Sequence, residues 1–280
     1  MSALREAVLL QMRLRGFSCR TVDSYIHALV ELWRFYKLPL DRLTCEQVQK
    51  FLDHLISVRK LAWATINVYF SAYRFLYEQV LKQSKRQFSI PPRGRSGKRP
   101  GVLSPMEVVR VLTAPRNIKH RAFLAVTFGS GLRVSEAVNV QIRHIDRGRM
   151  MLFVENGKGH KDRYTILSEE SLTLMEAHWH ANGPFKYFFF GCDKSKPMSV
   201  GTAQQIYYQA LERSGVRHIG GIHVLRHCFA TFLMEANVDI HVIKRWMGHR
   251  ALATTGRYMH LRREHLRTIR SPLDTLYDKV

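Results

Sequence analysis

Four short stretches hold side chains able to do chemistry. In GSGLRVSEA, residues 129–137, Arg133 follows two glycines at the start of a helical pattern, and a guanidinium beside helix N-terminal amides suits a phosphate. NGKGHKDR, residues 156–163, sets Lys158, Lys161 and Arg163 on an expected hairpin tip. It is not a nucleotide-binding P-loop, because Gly159 rather than Ser or Thr follows Lys158 and position 152 is not glycine. HVLRH, residues 223–227, has two histidines at zinc-site spacing, but Val224 stands where a zinc peptidase needs its glutamate. A helix there turns His223 and Arg226 toward one ligand and Leu225, Cys228, Phe229 and Phe232 toward the core. Finally, in GHRALATTGRYMHL, residues 248–261, His249 follows a glycine suited to a helix C-cap, and Tyr258 comes nine residues later with no carboxylate in the stretch. Singly, each has an ordinary alternative: a surface arginine, a solvated hairpin, a satisfied histidine, a packed tyrosine ring.

These residues need elements to hold them. Residues 4–82 read as amphipathic helices, the second through Val22, Tyr25, Ile26, Leu29, Trp33 and Tyr36, the third behind a Thr44–Gln47 capping box, the fourth from about Trp63 to Val80. SKRQFSIPPRGRSGKRPG, residues 84–101, is dense in Pro, Gly and basic residues and carries no acid, so it reads as an extended linker. A second domain opens with Ser104 as N-cap, Pro105 in the first turn and Glu107 as reciprocal cap. MMLFV, an Asn156–Gly157 turn and RYTIL suggest a hairpin of a small sheet. Helices return from Ser168, with Glu169 and Glu170 as first-turn charges. The expected fold is mainly α with a small β-sheet, in an N-terminal helical domain (1–83), a basic linker (84–101) and a larger domain (102–280).

Composition narrows the partner. The 280-residue chain is 46% apolar, enough for real cores, and its 44 Lys and Arg against 22 Asp and Glu give a formal charge of +22. Such a field calls for a polyanion, and basic residues spread through aromatic-rich helices favour nucleic acid over a membrane surface. Arg5, Glu6, Arg13, Arg15 and Arg20 interrupt any signal-peptide core, and no stretch reaches membrane-span length, so a cytoplasmic location is expected. Cys19, Cys45, Cys192 and Cys228 form no CxxC pair and read as small buried or half-buried thiols.

Taken in chain order, GLRVSEA, GKGHKDR, HVLRHCFATFLME and WMGHRALATTGRYMHL resemble the tyrosine recombinase, or phage integrase, family from about Leu103 to Leu261. The layout is a compact, Xer-like one that mobile-element recombinases share. The resemblance implies a two-domain C-shaped clamp and site-specific recombination: tyrosine attack on a phosphodiester, a 3′-phosphotyrosine, and strand exchange through a Holliday junction. It implies that Tyr258 attacks and that Arg133 and Arg226 clamp the phosphate. By the same likeness Lys158 protonates the leaving oxygen, His223 takes the phenol proton, His249 hydrogen-bonds a phosphate oxygen, and Glu136 orients Arg133. The implied partners are double-stranded DNA recombination sites and three further copies of the chain in a tetramer on DNA. Since the phosphotyrosine keeps the energy of the broken bond, no metal or nucleotide cofactor is implied. The alternatives are type IB topoisomerase-like relaxation of DNA and a non-catalytic DNA-binding protein of the same fold.

Overall fold

The computed structural model describes residues 2–83, 88–92, 101–157, 161–183 and 186–248. They divide into two units, Met1–Lys98 and Arg99–Val280.

The first unit contains α1 (Ser2–Leu14), α2 (Cys19–Tyr36), α3 (Cys45–Ser57) and α4 (Trp63–Arg74). Ser18 caps α2 by accepting from the Thr21 amide, and Thr44 and Gln47 cap α3 reciprocally at 3.2 and 2.8 Å. The apolar stripes of the helices meet in a core that includes Met12, Leu32, Leu52 and Tyr73. Two of the three buried tyrosines of this core, Tyr73 and Tyr77, satisfy their hydroxyls on backbone carbonyls, those of Ala28 and Leu40. The fourth helix does not run unbroken to Val80. It is α-helical to Arg74 and continues as a π-helical turn over Phe75–Val80. Phe75, Leu76 and Tyr77, at the start of this turn, are all buried. The stretch read as linker is held on this unit along 88–92: Gln49 bonds both backbone groups of Ser89, and the Trp63 indole donates to Pro91.

The second unit begins at α5 (Pro105–Thr113), with the Ser104–Glu107 capping box in place. α6 (Ile118–Gly129) buries an unbroken run from Ala122 to Thr127 and packs against α8 (Glu169–Asn182) and α10 (His223–Glu235). α7 (Val134–Ala137) is a single turn. A three-stranded antiparallel sheet follows, of β1 (Ile145–Asp146), β2 (Met151–Gly157) and β3 (Lys161–Ile166). α9 (Val200–Ser214) packs against α5, and α11 (Ile240–Met247) lies against β3 and α10.

Two expectations need correcting here. Asn156 and Gly157 do not form the hairpin turn. They belong to β2, which pairs Gly157 with Lys161, and residues 158–160 lie outside the described residues. The cause is register: Leu152 opposite Thr165 and Val154 opposite Arg163 put all four on the protein-facing side, and an irregularity between Val154 and Gly157 absorbs the mismatch. Of the cysteines, only Cys228 is buried. Cys45 is half-buried, and Cys19 at the α2 start and Cys192 past the aromatic run are exposed. Among the described residues, no helix is long and apolar enough to cross a membrane.

Candidate active site

Arg133 is placed by the glycines before it. Gly131 takes a left-handed φ of +58°, and a Cβ there would lie 2.3 Å from the Phe229 ring, so only glycine brings this turn against α10. Arg133 then caps α7, and its side chain turns onto Glu136 rather than toward open solvent. Its backbone amide donates to Glu136 Oε2 at 2.8 Å, and Nη1 donates to Oε1 at 2.7 Å. Nη2 reaches the Gly248 carbonyl at 3.4 Å.

Arg226 and His223 stand one turn apart on α10 as the sequence suggests, but in different surroundings. Arg226 is 1% exposed; it donates through Nη1 to the Gly131 carbonyl at 2.5 Å and through Nη2 to the Met247 carbonyl. Its Nη1 lies 3.7 Å from Glu136 Oε2. His223 opens to solvent at the start of the helix, with its ring 4.7 Å from that of His227, edge to face. Its pKa falls to about 4. The protein packed around the ring disfavours the charged form, the neighbouring His227, Arg226 and Arg133 add repulsion, and Glu136 opposes them. His223 is therefore neutral at pH 7 and free to accept a proton.

Glu136 and Arg163 do more than their sequence readings suggest. Arg163 is not a solvated hairpin-tip cation. Its side chain is 8% exposed and grips Glu136 bidentately, Nη1 to Oε1 at 2.9 Å and Nη2 to Oε2 at 2.8 Å, while Nε donates to the Trp246 carbonyl at 2.7 Å. Its place opposite Val154, on the face that buries Leu152 and Thr165, was readable from strand alternation; its partners, 27 and 83 residues away, were not. Burial alone would raise the Glu136 pKa, but the bonds and charge of Arg163, then of Arg133, outweigh it and hold the carboxyl at about 2. One carboxylate thus faces three guanidiniums.

The same arginines finish α11. The last carbonyls of a helix have no partner within it. Here those of Trp246, Met247 and Gly248 are taken by Arg163, Arg226 and Arg133 in turn. Gly248 ends the helix in the left-handed conformation at φ +60°, as the sequence expected of a C-cap glycine. Of the six residues assigned to chemistry, Arg133, His223 and Arg226 are brought together. Lys158, His249 and Tyr258 lie outside the described residues, the first directly after β2 and the second directly after Gly248. Among the described residues, no group of three His, Cys, Asp or Glu is arranged to hold a metal ion.

The residues 102–265 match the family model described as phage integrase family, and residues 4–86 match that of a phage integrase N-terminal SAM-like domain. The chain belongs to the phage integrase family. An integrase/recombinase of Sinorhizobium fredii, y4qK, is 32% identical to it over 99% of this chain and 90% of that one. The tyrosine recombinase XerC of Lactobacillus delbrueckii subsp. bulgaricus is 28% identical over 90% and 92%. Among solved structures, the XerH site-specific recombinase bound to a palindromic difH substrate, in a post-cleavage complex, superimposes with a TM-score of 0.72 at 21% identity, over 91% of this chain and 80% of that one. A lambda integrase tetramer bound to a Holliday junction gives 0.73 at 18%, over 92% and 76%. As a family member the chain is a tyrosine-type recombinase, an enzyme of DNA strand cleavage and transfer, and the two structural matches show its mainly helical fold with a small sheet.

Proposed function

We propose that this enzyme cleaves and rejoins duplex DNA at specific sites through a 3′-phosphotyrosine on Tyr258, exchanging strands through a Holliday junction. The observation that carries this is the arginine cluster: three guanidiniums share one carboxylate, leaving a buried excess of positive charge beside a neutral, solvent-facing histidine. A phosphodiester is an anion suited to such a cluster, and preorganised cations stabilise the charge that gathers on its non-bridging oxygens during transfer.

Each role follows from that need. Arg133 and Arg226 hold the scissile phosphate, with the Glu136 carboxylate keeping both guanidiniums in place before substrate arrives. His223 takes the phenol proton; a phosphate bound beside it adds negative charge and lifts its pKa from about 4 toward the working range. Lys158 follows β2 and protonates the departing 5′-oxygen, and His249 bonds a phosphate oxygen. Tyr258 lies ten residues past Gly248, a tether of at most about 35 Å from a point that Arg133 already touches. Residues 1–83 serve as the core-binding domain, 84–101 as the linker and 102–280 as the catalytic domain. A tetramer on DNA would bring four such sites to a pair of duplexes.

The test is covalent capture. The target is recovered by footprinting on the DNA flanking the gene, and a nicked suicide duplex bearing it is incubated with protein and denatured in SDS. Wild type is expected to form a protein–DNA adduct that Tyr258→Phe does not. If the two behave alike, Tyr258 is not the nucleophile. Strand transfer between two such duplexes separates recombination from simple relaxation.

A further inference from the structure

The roles just described leave Arg163 unused, although it joins three elements through one planar group. It projects from β3, grips the α7 carboxylate Glu136 with both terminal nitrogens, and caps α11 through Nε on Trp246. Arg133 and Arg226 make the companion bonds to the next two carbonyls, but they are also the residues proposed to turn toward a phosphate. We infer that Arg163 is the positioning residue that fixes the C-terminal end of α11, the root of the segment carrying His249 and Tyr258, against the carboxylate that orients the phosphate-binding arginines. The inference rests on the recombinase reading of the site.

Three features make the assignment specific to arginine at this position. The guanidinium is engaged through all three of its nitrogens, at 2.7, 2.9 and 2.8 Å, and an ammonium has only one nitrogen to offer. Gly248 packs directly on the Arg163 side chain: a Cβ there would sit 3.0 Å from Arg163 Cδ and 3.2 Å from Nε. A side chain at this position would have to adopt a left-handed φ and also push this arginine back by a few tenths of an ångström. Arg163 also pairs across the sheet with Val154, three residues before the end of β2, after which Lys158 follows. One side chain thus ties the departure points of the Lys158 and Tyr258 segments to a common anchor, Glu136.

Substituting Arg163→Lys keeps the charge and removes the fork. Adduct formation on the nicked duplex, at saturating DNA and in a single turnover, is expected to slow roughly a hundredfold, the scale of loss for an ångström-sized misplacement of reacting groups. Affinity for the same duplex should change by less than about twofold, since Arg163 is buried and contacts protein. Gly248→Ala approaches the same contact from the other side and should slow the adduct step with Arg163 intact; it decides the matter if Arg163→Lys fails to fold. Adduct formation at the wild-type rate in these variants, or a loss of rate matched by an equal loss of affinity, overturns the inference. A wild-type protein that binds its site but never forms an adduct overturns the recombinase reading, and this inference with it.

Discussion

Glu136 is a single carboxylate held at both oxygens, and its ionisation underwrites the positions of Arg133, Arg163 and Arg226. Its pKa drops from 4.5 to about 2 on folding, which corresponds to roughly 3 kcal/mol of stability at neutral pH. The sign is that of a depressed acid: the contribution is complete above about pH 4.5, where the unfolded chain is also ionised, and is lost as pH falls through about 2. His223 acts in a higher window. Its pKa is lowered from 6.5 to about 4, so the unfolded chain takes up a proton first and stability declines as pH falls from 6.5 toward 4. Urea unfolding at a series of pH values should therefore show a wild-type decline below pH 4.5 that Glu136→Gln largely lacks, on top of a lower stability at pH 7. Parallel curves for the two proteins would mean that the carboxylate is not ionised among the arginines.

At the scale of elements, the site is a meeting of ends: the N-terminus of α7, the first turn of α10, the C-terminus of α11 and the inner face of β3. Gly131 sets the first of these. Its φ of +58° and the 2.3 Å approach of the Phe229 ring mean that Gly131→Ala must strain the backbone and push α10 away. We expect a cost on the order of 3 kcal/mol or more, read as a lowered denaturation midpoint, together with a displaced Arg226, because that residue bonds the Gly131 carbonyl. A variant as stable as wild type would show that the turn is not set by this contact. This also explains what was legible in the sequence. Ser104, Thr44, Ser168 and Gly248 announce helix ends because capping is local chemistry, and Arg133 with Glu136 sits in one phrase three residues apart. Arg163 was misread because nothing within its own phrase reveals a carboxylate on α7 or a carbonyl on α11. The Asn156–Gly157 turn failed for the complementary reason: a good local turn signal yielded to a register fixed by which residues the sheet buries.

Over the whole molecule, binding and chemistry draw on two populations of positive charge. The chain carries a formal +22, with Lys and Arg outnumbering Asp and Glu in each unit, and cations such as Arg147 and Arg149 stay exposed at the surface even while each pairs with an acid. Exposed cations that neutralise phosphates release counterions, so affinity falls steeply with salt; six to ten contacts cost about a thousandfold or more between 50 and 200 mM. The arginines around Glu136 are different, since Arg226 is 1% exposed and the Arg163 side chain 8%, and a buried cluster is screened little by added salt. Raising salt should therefore weaken DNA binding by about three orders of magnitude or more over that range, while the single-turnover adduct rate at saturating DNA moves by no more than about threefold. Measuring both on one suicide duplex separates the populations. A rate that falls in step with affinity would mean that the arginines around Glu136 are open to solvent ions in the complex, contrary to the closed cluster that α7, α10, β3 and the end of α11 build around them.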